Sequence, residues 1–169
     1  LGPEGLAEPE LVAGGLGSSE SVVQPVWSPG GALHFVSDRT GWWNVYRQGS
    51  DEPVIAVEGE IGTPPWVFGM SRYALLDGGE IVAACRREGR DELFGYDVPF
   101  TSIDSVVSDG RRVLFVGASP TTESAIVRFD PATGEHELLR APRDLGLDPA
   151  RLSVPEAIEF PTEPGPDGQ

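Results

Sequence analysis

The chain has 169 residues, 39% of them hydrophobic, which is enough for one domain with a sizeable core and too apolar for a disordered segment. Twelve Lys and Arg against 27 Asp and Glu leave a formal charge of -15, which repels phosphate backbones and anionic headgroups and argues against nucleic acid and membrane partners. The longest apolar run, Ile81 to Cys85, falls far short of the roughly 18 residues of a bilayer span.

Gly (22) and Pro (16) fall between short alternating apolar segments, the distribution of a turn-rich β protein. Helical periodicity is nearly absent, so the fold class read here is all-β. The chain opens at Leu1 without Met or a basic-then-apolar leader, and is expected to be processed or cut from a longer protein. In chain order, residues 1–20 are expected to end a preceding blade, with Glu10 to Ala13 as its last strand. Residues 21–60 make the clearest unit. Its strands are Val22 to Trp27, Leu33 to Val36, Trp43 to Arg47 and Pro53 to Val57. Its turns are Asp38 to Gly41 and Ser28-Pro29-Gly30-Gly31, where Pro fixes φ and Gly supplies a positive φ. Four antiparallel strands in about 40 residues spell one propeller blade.

The pattern recurs over residues 61–100, with strands Trp66 to Met70, Tyr73 to Leu76, Ile81 to Cys85 and Glu92 to Tyr96. It recurs again over residues 101–141, with strands Ser105 to Val107, Val113 to Val116, Ala125 to Phe129 and Glu135 to Leu139. The inner hairpin keeps its length: Leu33 to Val45 and Ile81 to Leu93 are both 12 residues, and Val113 to Ile126 is 13. Between units the spacing is 48 residues from Leu33 to Ile81 but 32 from Ile81 to Val113, so the second copy is expected to lack its outer strand near Asp97 to Phe100. Residues 142–169 read as a linker: Leu145 to Arg151 as a helical turn, Val154 to Phe160 extended, Pro161 to Gln169 polar. The expected fold is therefore a partial β-propeller of about three four-stranded antiparallel blades, an open fragment of a larger ring.

Three strings, "VVQPVWSPGGALHFVSDRTGWWNVYR", "PPWVFGMSRYALLDGGEIVA" and "LSVPEAIEFPTE", resemble the propeller of prolyl oligopeptidase family serine peptidases, in the branch of acylaminoacyl peptidases and dipeptidyl aminopeptidases. The resemblance covers most of residues 10 to 163. It implies a propeller capping a C-terminal α/β-hydrolase domain that carries a Ser, Asp, His triad, with "VPEAIEFPTE" as the passage between them. No Gly-x-Ser-x-Gly elbow occurs in this chain; the closest string, Gly117-Ala118-Ser119-Pro120-Thr121, lacks the second glycine. No catalytic residue is therefore assigned.

Candidate substrate-gating residues are Arg39, Trp42 and Trp43. Successive strand residues point to opposite faces, so the two indoles cannot both meet one ligand without a bulge, and packing between sheets is the favoured role. Asp38 is expected to cap its own turn and Arg39 to brace an adjacent blade. His136-Glu137 begins like a zinc helix, but Arg140 stands where the second His is required, and His34 has no neighbouring ligand types, so no metal site is assigned. The acid pairs Glu58 with Glu60 and Asp91 with Glu92 read as solvated charge. No cofactor is implied. The lone Cys85 allows no internal disulfide and fits a reducing cytoplasm.

The functional expectation is the substrate-gating propeller portion of a serine peptidase that hydrolyses short peptides. Its partners would be the hydrolase domain of the same parent chain and the peptides themselves. The alternative is a non-catalytic propeller that serves as a protein-interaction module.

Overall fold

Regular structure in the computed structural model, which describes residues 5, 6 and 8–158, is almost entirely strand. The first sheet holds β1 (Val22–Trp27), β2 (Leu33–Ser37) and β3 (Asn44–Arg47) in that spatial order. A second holds β4 (Tyr73–Leu75), β5 (Ile81–Arg87) and β6 (Arg90–Leu93). The third runs β7 (Ser102–Ser108), β8 (Val113–Ser119), β9 (Thr122–Asp130) and β10 (Glu135–Arg140), with β7 and β10 at its edges. Every neighbouring pair is antiparallel. One 3-10 turn, Pro149–Arg151, is the helical element of the described residues, and none of their helices is long and apolar enough to cross a membrane.

Alternation along β4 and β5 explains how the sheets stack. Tyr73, Leu75, Ala83 and Cys85 point one way and join Val36, Val45, Val57 and Ile61 in a core shared with the first sheet. Their neighbours Ala74, Leu76, Val82 and Ala84 point the other way, into a core with Ile103, Val113, Phe115, Val127 and Phe129 of the third. Such a near-continuous apolar run marks a strand covered on both faces, and each fully buried side chain of this kind contributes on the order of 1.5–3 kcal/mol. The middle sheet is thus packed between two others in the radial manner of propeller blades, and the fold is a partial propeller.

Polar contacts between first strands set the inner junctions. The Val106 amide donates to Ser71 O at 3.0 Å and the Asp77 amide to Gly110 O at 2.7 Å, so β4 and β7 lie side by side and run in the same direction. At the other junction the Gln24 carboxamide donates to Tyr73 O at 2.8 Å and accepts from the Arg72 amide at 2.7 Å. The Tyr73 hydroxyl returns a bond to Gln24 O at 3.0 Å. Gln24 (φ 48) and Ser105 (φ 56) occupy the left-handed region at register shifts in β1 and β7. In β1 the bulge turns the Gln24 side chain across the junction.

Several expected strands are absent. Trp66 to Met70 forms no strand: its apolar residues suit a pleated, half-buried surface, but Trp66, Val67 and Phe68 are exposed and Pro64-Pro65 precede them. Glu10 to Ala13 forms none either, and Pro53 to Val57 is reduced to a single bridge between Val45 and Ile55. Among the described residues only the third sheet has four strands. From Leu93 to Ser102 the chain passes with no intervening strand. The Tyr96 amide bonds Leu93 O at 2.8 Å and the Asp91 amide bonds Thr101 O at 2.9 Å, which blunts the edge of β6. Phe160 and the expected linker Pro161 to Gln169 lie outside the described residues.

Candidate functional site

The antiparallel order sorts the loops onto two ends of the sheets. Because β4 and β7 are parallel neighbours, their starting ends lie together, and the β5–β6 and β8–β9 turns share that end. β10 runs opposite to β7, so Arg140 finishes there too. In the first sheet Val22 pairs with Ser37, which places the turn from Asp38 to Trp43 beside the start of β1. We call this end the upper face. It gathers the turn bearing Arg39, Trp42 and Trp43, the loop from Gly62 to Arg72, and the segment that follows β10.

The two indoles differ in exposure. Trp43 is partly buried and packs the edge of its ring against Gly62, so closely that a Cβ built there would overlap its Cε3. Its amide donates to Glu60 Oε2 at 3.0 Å, and the Ile61 amide donates to Trp43 O at 2.8 Å. Trp42 remains 42% exposed on the same face.

Arg39 is engaged within its own sheet. Its guanidinium lies 2.7 Å from Glu20 Oε1 and stacks over the Phe35 and Tyr46 rings, 5.5 and 4.6 Å from their centroids. Ser37 Oγ donates to the same Glu20 oxygen at 2.5 Å, and the Gly14 amide to the other at 3.0 Å. Burial pushes the Glu20 carboxyl up, but these donors and Arg39 outweigh it and hold the group below its usual range. Asp38 accepts the Ser21 amide at 2.7 Å, tying the turn to the start of β1, while its carbonyl closes the turn on Gly41 at 2.8 Å.

Asp91, read from the sequence as solvated, is fully buried. Its carboxylate meets Arg72 at 2.8 and 3.2 Å, Arg86 at 3.0 and 3.3 Å, and the Ile103 amide at 2.8 Å. Arg72 also donates to Ile103 O and lies 3.7 Å from Asp104. Desolvation pushes Asp91 up, and the Arg72, Arg86 and Ile103 donors more than reverse it, so the group stays ionised below the ordinary carboxylate range. Glu60 is likewise partly buried, and only its neighbour Glu58 is exposed.

Between the start of β1 and the Gly62 to Arg72 loop lies a recess of about 230 Å³, with Gln24, Pro25, Thr63, Val67, Phe68 and Met70 in its wall. This surface can hold an apolar group. It offers no nucleophile paired with a base, and the described residues contain no cluster of three or more His, Cys, Asp or Glu able to hold a metal. His34 is buried with Nδ1 3.2 Å from Ala32 O, and His136 meets Phe100 edge to face.

No family model matches the chain, and no curated protein does. Solved structures do match. It is similar to a puromycin-hydrolyzing peptidase of Mycobacterium tuberculosis, with 31% identity over 96% of this chain and 26% of that one, at a TM-score of 0.80. It is similar to puromycin hydrolase, with 30% identity over 90% of this chain and 25% of that one, at a TM-score of 0.74. A serine-to-alanine mutant of puromycin hydrolase complexed with PGG gives 31% identity over 89% and 24%, at a TM-score of 0.72. The chain spans about a quarter of the length of these structures.

Proposed function

We propose that this chain, which belongs with the propeller of prolyl oligopeptidase family serine peptidases, gates substrate for a peptidase that hydrolyses short peptides. The chemistry would be supplied by a C-terminal α/β-hydrolase domain of the same parent. Its arrangement would follow the resemblance: residues 21–60, 61–100 and 101–141 as successive blades, residues 1–20 ending the blade before, and residues 142–169 leading to the hydrolase. Selection is steric, since blades packed face to face leave an axial passage that an unfolded peptide threads and a folded protein does not. Arg39, Trp42 and Trp43 sit on the upper face, where such a peptide would arrive, Trp42 with its ring open to solvent. The buried lone thiol Cys85 favours a reducing compartment, the cytoplasm.

The observation that carries this reading is the match to a peptidase over 96% of the chain at 31% identity. The test is hydrolysis of aminoacyl and acylaminoacyl model substrates by the full-length parent, with activity lost when the serine of a downstream Gly-x-Ser-x-Gly elbow is changed to alanine. A parent sequence with no such elbow overturns the reading and leaves the interaction-module alternative.

A further inference from the structure

The recess beside β1 holds more than an apolar wall. Three buried side-chain atoms find no hydrogen-bond partner among the described residues: Asn44 Oδ1, Ser71 Oγ and Arg72 Nε. Of these three residues Arg72 alone lines the recess. Its side chain is 3% exposed, and its two terminal nitrogens are committed to Asp91 and the Ile103 carbonyl. The Nε–H is therefore a buried donor still open to an acceptor, and burying a donor without one is costly. An oxygen entering the recess would satisfy it.

Charge and size narrow the choice of ligand. Arg72 and Arg86 face Asp91 and Asp104, two cations against two anions, so the cluster is already balanced. No other charged residue lines the recess among the described residues. A carboxylate would bring a third anion to this partly buried group, whereas the carbonyl of a peptide bond accepts the same hydrogen bond and carries no charge. Pro25, Pro65, Val67 and Met70 supply apolar wall. The volume of about 230 Å³ lies below the roughly 300 Å³ at which sites for drug-sized ligands begin, so the space suits one apolar residue. One wall is fixed and the other can yield. The Gln24 carboxamide is held by Tyr73 O and the Arg72 amide. Among the described residues, 63–70 make one backbone hydrogen bond, Trp66 N to Pro64 O at 2.9 Å, so this loop can shift to let an acceptor reach the Nε–H.

We propose that this recess is a subsite that grips one apolar residue of a peptide, with the side chain against Pro25, Val67 and Met70 and the carbonyl oxygen on the Arg72 Nε–H. This rests on the peptidase reading above and names a place where the propeller holds its substrate. The subsite selects for an apolar residue inside the peptide and not for a charged terminus.

The test is hydrogen exchange in the full-length parent, read over residues 62–72, with N-acetylphenylalaninamide as the probe. The probe is expected to slow exchange there, and N-acetylglycinamide, which lacks the side chain, to leave it unchanged. Ethylbenzene has the ring without an acceptor and leaves water more readily, yet the amide is expected to act at an about tenfold lower concentration, the worth of one hydrogen bond. Val67→Asp changes a residue that is 66% exposed and outside both cores. It is expected to abolish the protection and to raise KM for peptides with apolar residues while kcat stays unchanged. A probe that inhibits hydrolysis without slowing exchange over residues 62–72, or protection that survives Val67→Asp, overturns the subsite and leaves the peptidase reading intact. Ethylbenzene acting at the lower concentration removes the bond to Arg72. N-acetylphenylalaninate acting more strongly than the amide makes the ligand an anion and overturns the proposal. Protection that rises with protein concentration in the absence of probe makes the occupant a second copy. A parent lacking the hydrolase domain removes both readings together.

Discussion

Arg72 and Asp91 meet at 2.8 Å with their side chains only 3% and 0% exposed, and they bind the middle sheet to the third through the Ile103 amide and carbonyl. Removing one partner strands the other charge in the interior, at a cost of about 3–5 kcal/mol, against a total stability on the order of 5–15 kcal/mol for a domain. Asp91→Ala is therefore expected to bring the chain close to unfolding. The double variant Arg72→Met with Asp91→Leu recovers only part of the loss, because the half-exposed Arg86 can turn to water while the Ile103 amide and carbonyl lose their partners. Urea denaturation of the three proteins checks both; equal midpoints for Asp91→Ala and the parent sequence contradict the assignment.

The same carboxylate governs acid stability. Its folded pKa lies below the unfolded value of about 3.9, so its contribution is present above that value and is lost as pH falls through the folded pKa. Glu20 shifts in the same direction and adds to the effect. The urea midpoint is expected to fall steeply below about pH 4, and Asp91→Asn to flatten that dependence while lowering the plateau at neutral pH.

Gly62 is required by Trp43. A methyl group at Gly62 would overlap the indole, and Gly62→Ala is expected to cost about 1–3 kcal/mol as the ring is forced out of place. Gly78→Ala is a fair control, since a methyl group there would meet nothing within 4 Å and the Gly78 φ is not left-handed. A fall in melting temperature for Gly62→Ala alone, with a shift in tryptophan emission, is the expected pair of readouts.

Cys85 is fully buried, and desolvation pushes its thiol above the ordinary range. It is expected to resist iodoacetamide in the folded chain and to react once urea unfolds it. Stoichiometric alkylation without denaturant, followed by mass spectrometry, would contradict its place in the core.

The sequence displays those features that arise from local alternation. β1, β2, β5, β8 and β9 are legible because buried and exposed positions, or two buried faces, alternate along strands bounded by turn residues, while β10, exposed along its length, is legible from the Asp130 to Gly134 turn before it. Trp66 to Phe68 has the same residue types, but what makes a strand of them is a partner to cover them, and that information is not local. The Asp91 network escaped for the same reason: its partners Arg72 and Ile103 lie 19 and 12 residues away on other segments, so only the stacking of sheets reveals that an acid in a charged hairpin is an interior anchor. Arg39 was expected to brace an adjacent blade, whereas it stacks on Phe35 and Tyr46 of its own sheet, and its counter-ion Glu20 sits in a segment with no strand pattern.

Neither outer sheet can shield its inward face by itself, because the two cores share no residue and both depend on the β4–β5 hairpin. That short ribbon acts as a keystone. If it frays, water reaches both cores at once, so the cooperativity of the whole chain is routed through its least extensive sheet.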